Sequence, residues 1–143
     1  MASNTDNEIR AVGGSMSPFI LSGSRLFVEH VEPGCIRVGD VVCFIGDGGQ
    51  GVTHRVLQIA DSSDGKVLHV RGDAQTQSET VPETAVLYVV KRVSHRRLAY
   101  DLDGPLGKLF ARISLAEDRK YALAKAFVGK SWNFIRYIHQ NLL

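Results

Sequence analysis

Apolar and polar positions alternate in short runs over the first hundred residues, and then the period changes. Residues 24–30 (SRLFVEH) alternate in part, 40–45 (DVVCFI) form a compact β-branched run, 51–59 (GVTHRVLQI) follow the turn GDGGQG, and 67–71 (VLHVR) follow the turn DSSDG. Residues 85–93 (AVLYVVKRV) make the longest run and are expected to be buried on both faces. Runs of this length between Gly, Asp and Ser clusters predict antiparallel strands joined by hairpins. Near Asp101 the pattern breaks at DLDGP, where Gly104 and Pro105 read as a turn or linker. Beyond it, Leu123, Phe127, Ser131, Phe134, Ile138 and Leu142 recur at spacings of three or four, widened by Val128 and Ile135. That spacing predicts an amphipathic helix over 115–143. The expected organisation is a flexible tail at 1–10, a mainly β antiparallel body at 11–100, and a linker with a C-terminal helical appendage at 101–143.

Composition narrows the class. A chain of 143 residues fits one domain, and 44% hydrophobic with 22% charged residues is ordinary globular usage. The formal net charge of +2 is too small for bulk attraction to nucleic acid or anionic lipid. Cys35 and Cys43 stand without CxxC spacing and read as reduced thiols. His30, His54, His69, His95 and His139 show no metal-ligand spacing, so neither metal nor cofactor is expected. The first ten residues carry no basic and apolar signal pattern, and no run is long and apolar enough to span a bilayer. A cytoplasmic location, with peripheral membrane contact left open, is the expectation.

Three short constellations can carry chemistry. Gly13-Gly14-Ser15-Met16-Ser17-Pro18 permits a sharp turn that presents Ser15 Oγ and its own N–H, although alone it also reads as a surface turn. His54, on a predicted strand, titrates near neutrality and can act as a general base for a serine, which is a poor nucleophile unaided. Taken alone, it reads more readily as a half-buried strand histidine. Asp73, in Arg71-Gly72-Asp73 at a strand end, can orient an imidazole or simply close a turn.

Taken in order, these residues resemble the signal peptidase I and LexA-like serine peptidase superfamily. The likeness rests on Ser15-Met16-Ser17-Pro18, Gly39-Asp40-Val41-Val42-Cys43-Phe44, His54-Arg55-Val56 and Arg71-Gly72-Asp73-Ala74, and covers about residues 12–93. Histidine in place of the lysine base resembles the Ser–His branch, that of the endoplasmic reticulum and SipW-like signal peptidases, here without a membrane anchor. The resemblance implies a signal-peptidase/LexA-like β body. It further implies Ser15, His54 and Asp73 as catalytic residues, with Gly13, Gly14, Met16 and Pro18 shaping the oxyanion and substrate site. Glu79 is the candidate for a second acidic residue.

The expected function is therefore a serine endopeptidase that cleaves a peptide or precursor protein, with small residues on the acyl side implied by the resemblance. The alternative is a catalytically weak peptide-binding module that retained the fold. A self-cleaving regulator needs a DNA-binding segment and a cleavage site upstream, and only 14 residues precede Ser15. The apolar stripe of the C-terminal helix is expected to pack on the body or on a second copy, with a partner or lipid surface as the alternative. The basic run 91–97 is expected to be a solvated strand end, and no nucleic-acid partner is expected.

Overall fold

The structure, a computed structural model, describes residues 7–116. Eight strands form one antiparallel sheet: β1 (Asn7–Arg10), β2 (Arg25–His30), β3 (Val41–Ile45), β4 (Gly51–Ser62), β5 (Gly65–Arg71), β6 (Glu79–Pro82), β7 (Val86–His95) and β8 (Leu98–Asp101). One helix follows, α1 (Pro105–Leu115). The strand order is β1-β2-β7-β3-β4-β5-β6, with β8 also on β7. One edge of β7 is taken by β2. Its other edge is shared end to end by β3, opposite Val86–Val89, and β8, opposite Arg92–His95. The mainly β body with a helix after it, expected from the change of period, is observed.

Side-chain alternation explains where the core lies. Residues directly opposite one another in a sheet share a face. Ile9 pairs with Leu26, Leu26 with Val93 and Val93 with Tyr100, so one apolar row crosses four strands. The row joins a cluster containing Met16, Phe19, Ile20, Val41, Cys43 and Phe110. Val42, Phe44, Val56, Leu68, Val70, Val81 and Val89 form a second cluster. β3 therefore feeds both, Val41 and Cys43 to the first and Val42 and Phe44 to the second, which is why DVVCF reads as an unbroken apolar run. β7, expected to be buried on both faces, is only partly so, and Leu87 is 44% exposed.

One segment departs from the sequence reading. Asn7–Arg10, assigned to the tail by its polarity, pairs with β2 in full register. The edge strand buries little but Ile9, so it carried no alternation signal. Past the DLDGP turn, where the chain is expected to become helical, lies α1, started by Pro105 in the first turn after Gly104. Phe110 of α1 stacks on Phe19 at 4.6 Å and meets the Tyr100 ring edge-on at 5.3 Å, which makes the helix part of the core. Burying one such ring contributes about 2–3 kcal/mol. The amphipathic helix expected over 115–143 lies, from residue 117 on, outside the described residues. The basic run 91–97 ends β7 and turns through Arg96, whose φ is +55°. Arg92 there pairs with Asp101 at 3.5 Å on the exposed face.

Candidate active site

Ser15 sits in a tight turn between β1 and β2. Ser17 N–H donates to the Gly14 carbonyl and Ile20 N–H to the Met16 carbonyl, which coils the loop around Ser15. Met16, Phe19 and Ile20 are buried and nail this loop to the first apolar cluster. Tyr100 O–H donates to the Phe19 carbonyl and fixes its exit. Burial pushes the Tyr100 hydroxyl well above its ordinary value, so it remains a donor. The Ser15 carbonyl accepts from Ala74 N–H at 2.8 Å, which ties the loop to the turn after β5. Gly72 in that turn is a matter of space: a Cβ there would stand 2.5 Å from the Ser15 carbonyl oxygen. The Ser15 N–H bonds to none of the described residues.

His54 lies on β4 opposite Val42 and is 7% exposed. The Phe44 ring meets the imidazole at 6.0 Å in an edge-on arrangement. Its Nδ1 stands 2.7 Å from Glu79 Oε1, a contact close in distance but not aligned for a linear hydrogen bond. Burial lowers the imidazole below its ordinary 6.5, while Glu79 and, after it, Asp73 pull it upward. The ring is therefore neutral around pH 7, the state a general base requires, with Nε2 as the nitrogen left for proton exchange.

Asp73 is engaged elsewhere. Its carboxylate takes a forked pair from Arg55, Nε to Oδ1 at 2.9 Å and Nη2 to Oδ2 at 2.8 Å. Ser114 Oγ of α1 donates to the same Oδ1. Arg55 Nη1 donates to the Gly39 carbonyl at 2.9 Å, and Arg71 Nη2 to the Ser114 carbonyl at 3.1 Å. Arg55 is 1% exposed and the Asp73 side chain not at all. Neighbours on a strand point to opposite sides, so Arg55 and His54 cannot share one carboxylate in the same way. Asp73 acts on His54 through its field, and the carboxylate in contact with the ring belongs to Glu79. Burial of Arg71, Gly72 and Asp73 also removes this tripeptide from the surface.

An open groove of about 760 Å³ brings part of the predicted set together. Gly13, Ser15, Met16, His54 and Glu79 line it, whereas Gly14, Pro18 and Asp73 do not. No hydrogen bond joins Ser15 to His54 among the described residues. Thr53 and Cys43 form part of the wall, with Sγ and Oγ1 3.4 Å apart. Burial pushes the Cys43 thiol up, and both it and Cys35 are free cysteines, as their spacing suggested. Sequence reasoning missed Ser114, because nothing in PLGKLFARISL marks one serine as facing a buried carboxylate. The Arg55–Asp73 pair had a signal, an arginine directly after the histidine and an aspartate in the next box.

Among the described residues no group of His, Cys, Asp and Glu is placed to hold a metal, and no helix is long and apolar enough to cross a membrane. No family model matches the chain, and no solved structure matches it. Signal peptidase I W of Bacillus subtilis (strain 168) is 29% identical to it over 72 residues, which are 50% of this chain and 38% of that protein. The chain thus spans under two-fifths of the length of the curated relative it matches, and it is distantly similar to a signal peptidase over that stretch.

Proposed function

We propose that the chain is a serine endopeptidase of signal-peptidase type acting on an extended peptide or precursor protein. Ser15 Oγ attacks the scissile carbonyl as His54 takes its proton. The oxyanion is met by the Ser15 N–H, which bonds to none of the described residues. The intermediate collapses with cleavage of the C–N bond, and His54 returns the proton to the leaving amine. Water then releases the acyl group by the same route in reverse. Glu79, rather than Asp73, holds Nδ1 and stabilises the imidazolium. Asp73 anchors the turn that carries Ala74.

One observation carries the reading: Ser15 and a neutral His54 open onto the same groove, while Ala74 N–H pins the Ser15 carbonyl from behind. The distant similarity to a signal peptidase supports it. The test is labelling with a serine-reactive aryl phosphonate carrying an Ala-like acyl-side group. The expected result is one adduct at Ser15, none on S15A, and labelling of H54A slower by about 10²–10⁴, the usual contribution of a general base. Folded wild-type protein that binds peptides in this groove yet takes no label at Ser15 makes it a peptide-binding module instead.

A further inference from the structure

We propose that Gln75, in the turn after β5, is a substrate-binding residue whose carboxamide N–H group donates to a main-chain carbonyl of the peptide in the groove. This rests on the reading of Ser15 and His54 as the reacting pair and adds to it a contact that recognises the peptide backbone.

The turn fixes which way the carboxamide faces. Gln75 N–H donates to the Gly72 carbonyl at 2.9 Å, and Gly72 N–H donates to Gln75 Oε1 at 3.3 Å. A backbone N–H needs an acceptor, so the oxygen of the carboxamide must lie toward Gly72 and the nitrogen away from it. Both protons of that nitrogen are without a hydrogen-bond partner among the described residues. Gln75 lines the groove together with Ser15, His54 and Glu79. It is also close to the Ser15 backbone, since a Cβ on Gly72 would stand 2.5 Å from the Ser15 carbonyl oxygen and 2.8 Å from Gln75 Oε1. On one side of it in the chain Ala74 holds the Ser15 carbonyl, and four residues on Glu79 meets the His54 ring. The same short segment thus serves the nucleophile and the base, and Gln75 is its side-chain donor at the groove.

An extended peptide needs such a donor. Its successive carbonyls point to opposite sides, and pairing with a strand edge satisfies one side alone. A carbonyl on the other side gives up water on entering the groove and requires a hydrogen bond in return. A neutral amide supplies it whatever the side chains of the peptide are. Because Oε1 is already held, little rotamer freedom is lost when the nitrogen engages.

The experiment inactivates Ser15 with an aryl phosphonate that carries an uncharged peptidyl arm, on protein shown to be folded at the assay temperature, and separates kinact from KI. Q75E keeps the oxygen that Gly72 N–H needs and loses the donor. Q75M keeps the length of the side chain and loses both. Each is expected to raise KI about three- to tenfold, the usual worth of one neutral hydrogen bond, with the change in KI rather than in kinact. Q75E carries the test even where Q75M folds poorly. A wild-type KI in Q75E, whether or not Q75M is impaired, makes the side chain a brace for the turn and overturns the proposal. A loss confined to kinact overturns it too, since the contact is then not with the bound peptide's backbone. Wild-type protein that takes no label at Ser15 overturns the parent reading instead, so the failures are distinguishable.

Discussion

Replacing Asp73 with Ala is expected to unfold the protein more readily than any change to Glu79. Arg55 is 1% exposed and makes three bonds, two of them to Asp73. D73A leaves a buried guanidinium with the Gly39 carbonyl alone. Breaking such a buried pair from one side costs about 3–5 kcal/mol, because the remaining charge is uncompensated. Against a total stability of about 5–15 kcal/mol this is a large fraction. At about 3–4 °C per kcal/mol for a domain of this size, Tm falls by about 10–20 °C. Removing both charges together, as in R55M/D73A, should recover part of the loss, since no lone charge then remains. Glu79 is 46% exposed, so E79Q should change stability by no more than about 0.5 kcal/mol while slowing reaction at Ser15. Thermal unfolding by circular dichroism, read beside phosphonate labelling, measures both. A D73A shift of less than about 4 °C, or an E79Q protein as unstable as D73A, refutes the division of labour between the two carboxylates.

Two further outcomes follow from the same geometry. Because burial lowers the His54 imidazole, the acid limb of the Ser15 labelling rate should lie below pH 6.5, and E79Q, which removes the group that raises it, should move the limb lower still. The sign for stability is the same: the unfolded chain binds the proton more readily than the folded one, so stability should fall as pH drops through 6.5 toward the folded value, and H54Q should flatten that slope in urea titrations. G72A should drive its methyl against the Ser15 carbonyl oxygen, slow labelling at least tenfold and cost about 1–3 kcal/mol, whereas equal labelling would show that the turn can yield.

The β body was legible because its signals are local. The turn DSSDG resolves into a two-residue hairpin loop closed by Ser62 opposite Gly65, and DVVCFI is apolar throughout because its two faces feed two clusters. β1 was not legible, since an edge strand that buries little but Ile9 leaves no period to read. α1 was half legible. Its start is written in Gly104-Pro105, but membership of the core depends on Phe110 finding Phe19 and Tyr100, contacts between residues some ninety and ten positions apart. Pattern counts within one element do not see such partners.

The site divides along the same line. The placement of Ser15 and His54 at one groove could be expected from their boxes, read together and in order. The role of Asp73 could not, because a carboxylate takes its role from whichever donor reaches it first. Strand alternation already separates His54 from Arg55, so the aspartate of the following box has to choose between a neutral imidazole and a permanent cation. A forked guanidinium bond is the stronger contact and loses nothing at neutral pH, whereas the imidazole offers at most one neutral donor. Arg55 therefore takes the buried acid, and the histidine is left with the half-exposed one. That order also suits the chemistry proposed here. A base that must be neutral before attack and charged after it needs a carboxylate whose charge is not already taken up by a cation, and the one against the ring is Glu79, while Asp73 is spent on Arg55.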